Sequence, residues 1–359
     1  MNQAQSIPIH RSNDNSIGHR GKAGAFGTTF GDHMFSQDFD GDQGWSEAGI
    51  HPLNGIRLHP AASVLHYGQE IFEGLKAYRR ADGEVCLFRA IENCRRFNRS
   101  AARMAMPEVD ENFHLQALCE LVALDKDWVP SEPGSSLYLR PAMIATSPRL
   151  GLAASTQYKH FIISSPVAAY FGDGHSPLSV LVSDHHRRAV KGGVGEAKTG
   201  GNYAASLQVS EAASRNGFDQ VLWLDAIEGK YIEEVGAMNI CFVYDNEKIV
   251  TPALSGSILE GITRDSILKL APHLGLYIEE SRLAITEVLD DIDSGRITEV
   301  FGCGTAAVVS PVGTLTYKGE AHTVNNNMPG RVTRLIHREI TNIQYGEVDD
   351  PYGWITLVK

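Results

Sequence analysis

Apolar positions alternate with polar ones from about residue 26 to residue 88, and Gly55, Gly68 and Gly83 punctuate the alternation, which predicts a small antiparallel sheet with strands near 64–67, 74–78 and 85–88. The period then lengthens. Ile91, Cys94, Phe97, Ala101 and Met104 recur at helical spacing and predict a helix over 90–106. Phe113, Ala117, Leu118, Leu121 and Val122 predict a second over 111–125, with Asp110 as its N-cap. Strand patterns resume at 136–144 and 158–165 and break at 166–177, where Gly172, Gly174 and flanking prolines interrupt them. Beyond the break, strands are expected at 178–183, 220–224, 231–235, 238–244 and 297–301. Helices are expected at 204–216, stopped by Gly217, at 261–270, ended by Pro272, and at 331–345, ended by Gly346. The expected division is a disordered tail over 1–20, a small domain over 21–165, an interdomain loop over 166–178 and a large domain over 179–359.

Composition narrows the function. The 359 residues are 43% hydrophobic and 21% charged, ordinary for a globular chain able to bury two cores. A net charge of -11 disfavours nucleic acid and anionic membranes as partners, so an anionic ligand must be held by local design. The polar N-terminus lacks the apolar stretch of a signal peptide, and the expected location is cytoplasmic. The five cysteines, Cys86, Cys94, Cys119, Cys241 and Cys303, have no C-x-x-C spacing and are expected to be reduced thiols. No H-E-x-x-H occurs among the fourteen histidines, and no metal site is expected.

The chemistry concentrates in Gly192-Gly-Val-Gly-Glu-Ala-Lys-Thr-Gly-Gly-Asn-Tyr203, where Lys198 stands between glycines that are expected to prevent regular structure on either side. Three readings compete. A phosphate loop fails at Ala197, where its second glycine belongs, and Gly200-Gly201 would break the helix that should follow. A Schiff-base lysine needs a desolvated amine in a closed site, because a solvated amine titrates near 10.4 and is a poor base at neutral pH. On the local residues alone, a solvated lysine on a glycine-rich surface loop is the leading reading.

Lys198-Thr-Gly-Gly-Asn-Tyr203, Tyr231-Ile-Glu-Glu-Val-Gly-Ala-Met-Asn239 and Leu259-Glu-Gly-Ile-Thr-Arg264 together resemble the branched-chain amino acid aminotransferases of pyridoxal phosphate fold type IV, in the same order and across about 26–354. The resemblance implies an α+β fold of two domains, a small α/β sandwich and a larger pseudo-barrel with helices. It implies pyridoxal 5'-phosphate as cofactor, reversible exchange between leucine, isoleucine or valine and 2-oxoglutarate, and a homodimer with no nucleic-acid or membrane partner.

It also implies roles. Lys198 would carry the cofactor and move the substrate's α proton. Glu234 would face the pyridine nitrogen, with Glu233 left as an exposed strand carboxylate on the other face. Tyr203 would meet the cofactor's phenolic oxygen. Ile262 and Thr263 at a helix N-terminus, Thr305 and the Arg96 guanidinium would hold the phosphate, Arg95 lying on a solvated face. Phe26, Tyr67, Phe72, Tyr138, Tyr170 and Leu152 would enclose an aliphatic side chain, Phe72 and Leu152 coming from the neighbouring subunit. Arg140 would receive glutamate, while Ala237 and Ala306 would also line the substrate site.

Four positions depart from relatives. Ala237 stands where some have threonine, and Cys241 where the fold type favours an aromatic residue. Ala307 and Ser310 replace a cysteine pair that mammalian relatives use as a redox switch. D-amino acid transaminase and aminodeoxychorismate lyase share the fold type and remain rivals. A nucleotide-dependent phosphotransferase and a non-catalytic small-molecule binder are the alternatives from other classes.

Overall fold

A computed structural model describes residues 6–12, 26–168 and 176–359. Its contacts gather the chain into two units: Met1–Ala168 with Ala197–Gly200 and Asn342–Lys359, and Ala169–Glu196 with Gly201–Thr341. The first unit therefore reclaims the lysine segment and the chain's end, and is not the continuous stretch 21–165 that the sequence suggests.

The first unit contains β1 (His33–Asp40), β2 (Gly44–Trp45), β3 (Gly49–Pro52), α1 (Ser63–Tyr67), β4 (Glu70–Phe72), β5 (Leu75–Arg79) and β6 (Val85–Phe88). It continues with α2 (Ala90–Arg103), α3 (Glu111–Leu124), β7 (Ser136–Ala145) and β8 (Gln157–Val167). These strands pair antiparallel, Leu75 opposite Leu139 and Arg140 opposite Ile163. Ala117, Leu118, Leu121 and Val122 of α3 pack onto Leu75, Leu87, Leu137 and Leu139 of the sheet. Asp110 caps α3 by accepting from Phe113 N at 2.8 Å.

Two expectations change here. Residues 64–67 form the helix α1, because Gly68 takes the left-handed conformation (φ 58°) and returns its N–H to Val64 O, closing a turn where strand alternation was expected. β8 runs through Pro166, since β1 pairs with it only as far as Ile162 and a missing N–H beyond that point breaks no bond to β1.

The second unit holds β9 (Leu178–Val182), β10 (Gln220–Leu224), β11 (Ile232–Val235), β12 (Asn239–Tyr244), β13 (Lys248–Pro252), β14 (Tyr277–Ser281), β15 (Ile297–Gly304), β16 (Val308–Tyr317) and β17 (Glu320–Thr323). The helices are α4 (Gly200–Arg215), whose first residue belongs to the first unit, then α5 (Ile262–Leu270), α6 (Ile285–Asp293) and α7 (Arg331–Tyr345). Strands run in the order β11-β10-β9-β16-β15-β12-β13-β14, with β9 parallel to β10 and β16, and β13 parallel to β14. Ile232 N donates to Leu283 O, just past β14, so the two ends of this order meet and the sheet curls towards a barrel. Val180, Leu222, Val235, Ile240, Phe242 and Leu315 fill it with Val288 and Leu289 of α6. The last strand, β18 (Ile355–Val358), belongs to the first unit and pairs with β6.

Candidate active site

Lys198 is half-buried in the first unit, its backbone tied on both sides: its N–H donates to Ser100 Oγ at 2.9 Å and its carbonyl accepts from Phe72 N at 2.9 Å. Its Nζ lies 4.8 Å from the centre of the Phe72 ring. The Arg140 guanidinium covers the same ring at 4.6 Å and donates to Tyr138 Oη at 3.1 Å, while Phe26 meets the Tyr138 ring edge-on at 4.9 Å. Five residues separated in sequence and named for one site thus converge within a single chain. Phe72 faces the lysine of its own chain, against its expected origin in the neighbouring subunit. Gly74 permits the crowding, for a Cβ there would collide with the Tyr138 hydroxyl. Tyr67 is half exposed and donates to Leu150 O; Leu152 on the same loop is 81% exposed. Tyr170 lies outside the described residues.

Glycines do not interrupt the structure after Lys198 as expected, since α4 begins at Gly200. A helix's first N–H groups need partners from outside the helix, and Glu70 supplies one by accepting from Gly200 N. Burial raises the Glu70 carboxyl above its ordinary range, against the pull of that N–H, Thr199 and Arg140.

Arg96 is buried, and its Nε and Nη2 grip Glu73 at 2.7 and 2.9 Å. Burial alone would raise the Glu73 carboxyl, but Arg96, Lys198 and Asn93 together hold it below the usual range. The two-point grip expected on a phosphate is made here on a carboxylate. Arg95 is half exposed and pairs with Glu92 and Glu111, as a solvated-face residue would.

In the second unit, strand alternation sends Glu234 and Glu233 to opposite faces of β11, yet both are buried. Glu234 Oε2 lies 2.8 Å from Arg188 Nε, and its Oε1 accepts from Leu259 N at 2.9 Å. Glu233 is not the exposed carboxylate expected: it accepts from the Ser257 hydroxyl, and burial raises its carboxyl although Ser257 and Arg188 oppose the shift. Arg188 was not singled out in the sequence. It looked like a member of the polar run Asp184-His-His-Arg-Arg188, and nothing local to that run announces a carboxylate partner on β11.

Leu259, which binds Glu234, leads through Gly261 into α5, whose first residues Ile262 and Thr263 are buried. The N-cap residue Gly261 has no side chain to cap this helix, and it is glycine because a Cβ would strike Asn239 Oδ1. Thr305 and Ala306 form the turn between β15 and β16, and Ala237 sits exposed in the tight turn between Val235 and Met238. Tyr203 is half-buried in the first turns of α4. A carboxylate held by a buried cation, beside a helix N-terminus whose N-cap is glycine, fits a group with a basic ring nitrogen and an anionic end. Among the described residues no cluster of His, Cys, Asp or Glu could hold a metal ion.

The family model for class IV amino-transferases matches residues 70–315.

The chain belongs to the class IV aminotransferases.

Branched-chain-amino-acid aminotransferase 2 of Bacillus subtilis (strain 168) is 51% identical over 334 residues, 93% of this chain and 92% of its own. A probable branched-chain-amino-acid aminotransferase of Staphylococcus aureus (strain N315) is 52% identical over 334 residues, 93% of each chain. Among solved structures, the Escherichia coli branched-chain amino acid aminotransferase aligns with a TM-score of 0.75 at 27% identity, covering 90% of this chain and 99% of that one. The holo, PLP form of the Thermobaculum terrenum enzyme aligns with a TM-score of 0.75 at 26% identity, covering 92% and 100%. The two-unit α+β architecture of this aminotransferase is thus that of fold type IV enzymes. No helix among its described residues is long and apolar enough to cross a membrane.

Proposed function

We propose that this class IV aminotransferase is a pyridoxal 5'-phosphate-dependent branched-chain-amino-acid transaminase, exchanging amino groups between L-leucine, L-isoleucine or L-valine and 2-oxoglutarate. The observation that carries the reading is the convergence on Lys198 of Phe72, Arg140, Tyr138 and Phe26, an aromatic wall with one fixed cation. Relatives about half identical over nearly the whole chain bear the corresponding name. When bound, the cofactor supplies an electron sink for the amino acid's α carbon. Lys198 Nζ anchors it and, once displaced, takes and returns the substrate's α proton. Glu234, paired with Arg188 at 2.8 Å, would face the ring nitrogen, and Tyr203 would meet the phenolic oxygen. The N-terminus of α5 at Ile262 and Thr263, with Thr305 and Arg96, holds the phosphate. Phe26, Tyr67, Phe72, Tyr138, Tyr170 and Leu152 exclude water around an aliphatic side chain, Ala237 and Ala306 bound the substrate, and Arg140 accepts the second carboxylate of glutamate. The enzyme works as a cytoplasmic homodimer, a reading supported by the exposed Leu150 and Leu152 on one loop.

Borohydride reduction of the holoenzyme followed by peptide mapping tests this directly, with the label expected on Lys198. A label on Lys191 or any other lysine would overturn the assignment. Lys198→Ala should retain the cofactor and lose turnover with L-leucine, and turnover with D-amino acids instead would select a rival of the same fold type.

A further inference from the structure

The second carboxylate of β11 opens onto a different cavity. Strand alternation that sends Glu234 towards Leu259 sends Glu233 the other way, into a cleft of about 440 Å³ lined entirely by the second unit. That volume is within the range of small-molecule sites, roughly 300–1,000 Å³. Glu233 is only 4% exposed; Ser257 donates to its Oε1, Ser255 also pulls its carboxyl down, and among the described residues its Oε2 has no hydrogen-bond partner. A buried carboxylate oxygen without a donor is costly, and native interiors rarely leave one so unless a ligand or water completes it.

The charged groups around it do not complete it. Asp225 uses both oxygens on the backbone N–H groups of Ile227, Glu228, Lys230 and Tyr231. Arg282 pairs with Glu228 at 2.8 Å and stacks 3.6 Å over the Tyr231 ring, while Arg188 is turned to Glu234 and Ser257 O. Lys191, also on the lining, is exposed and forms no ion pair among the described residues. Ile227, Leu254 and Ile258 share the lining with this acceptor and this cation. An acceptor for an ammonium, a cation for a carboxylate and an aliphatic wall are the complement of one ligand class.

We propose that this cavity is a second amino-acid site, separate from the catalytic lysine, that takes a free aliphatic amino acid with its ammonium on Glu233 and its carboxylate towards Lys191. The site needs no cofactor and does not depend on the reaction assigned to Lys198. Its ligand belongs to the class on which the proposed reaction acts, so it makes the enzyme's amino-acid supply a ligand of its own second site.

Calorimetric titration with L-leucine tests it, on the purified holoenzyme and again after borohydride reduction has removed the reactive amine. The expected result is one saturable site that survives reduction and weakens at least tenfold in Glu233→Gln and in Lys191→Met. Ile227→Trp, on an exposed turn, should fill the cavity and abolish that site while leaving turnover and the thermal midpoint unchanged, which separates loss of the site from loss of the fold. No saturable binding after reduction, or binding that all three variants leave intact, would overturn the proposal. Failure of borohydride to fix any group on Lys198 would instead refute the catalytic reading, and the titration would still report on the cavity.

Discussion

Arg96 directs Nε and Nη2 at Glu73 inside the first unit, and its removal would strand a fully buried carboxylate. Breaking a buried pair from one side costs about 3–5 kcal/mol, so Arg96→Ala should lower the stability of the cofactor-free protein by that much in urea unfolding. Cofactor retention should weaken by a further ~1.5–3 kcal/mol, the scale of a lost charged hydrogen bond. Arg95→Ala, with partners on an exposed face, should change either quantity by less than about 1 kcal/mol. An unchanged apoprotein would mean that Glu73 finds another partner. Arg140 admits a sharper test, because among the described residues its buried Nε has no hydrogen-bond partner while its Nη2 serves Tyr138. An apolar wall alone rejects glutamate, and a cation with spare donors at its edge removes that penalty without obstructing leucine. Arg140→Met should therefore lower kcat/KM for glutamate more than for leucine by about 2–3 kcal/mol, measured in parallel half-reactions. Equal losses would place Arg140 on the carboxylate common to both. At this scale the sequence names side chains without saying what they touch. The motif register selected Glu234 over Glu233, but the partners Arg188 and Glu73 lie far off in the chain, and only tertiary contacts reveal them.

Elements were legible where periodicity was strong and unpunctuated. The helices α2, α3, α5 and α7 and the strands β5 to β7, β9, β10 and β12 fall within a few residues of their expected spans. β16 was unreadable for a physical reason: Pro311 and Gly313 look like breakers, and the register shift between Val312 and Thr314 absorbs them. The start of α4 was misjudged because its cap, Glu70, comes from β4 rather than from the adjoining loop. α3 carries a consequence for acidity. Its His114 packs edge-on against His160 of β8 at 4.7 Å and Phe97 of α2 at 4.9 Å, and neither imidazole has a hydrogen-bond partner among the described residues. Burial pushes the His114 imidazole down to about 4, against a weak opposing pull from Glu73, and burial beside His114 pushes His160 down as well. The unfolded chain, with histidines near 6.5, then binds more protons than the folded one between about pH 6.5 and pH 4, so stability falls as pH drops through that window. His114→Phe should remove on the order of 2 kcal/mol of the loss between pH 7 and pH 5, read from urea midpoints. An unaltered pH profile would assign the acid sensitivity to other groups.

Across the whole molecule, the chain's end returns to where the fold begins. From the last turn of α7 onward, residues Asn342–Lys359 belong to the first unit, and β18 adds to its sheet with Ile355 opposite Phe88 and Val358 opposite Val85. No local pattern announced this, since four residues with one buried side chain carry little periodicity and their partner strand lies near the other end of the chain. Trp354 fastens the return. Its carbonyl accepts from Arg89 N at 2.7 Å, its ring meets Phe88 edge-on at 5.6 Å and stacks on Tyr352 at 4.1 Å, and the Arg89 guanidinium lies 5.2 Å above it. Arg89 itself has a positive φ of 51°, an uncommon conformation for a residue with a side chain, held where β6 turns into α2. Loss of the indole would therefore remove packing from a strained turn and loosen the strand that covers the edge of β6. Trp354→Ala should cost about 3–5 kcal/mol, the range for truncating a buried tryptophan. Hydrogen exchange locates the cost: amides of β6 and β5 should lose protection, while those of β12 and β15 in the second unit keep theirs. Equal loss in both units would show that they unfold as one, and unchanged protection of β6 would show that β18 closes the sheet without its tryptophan.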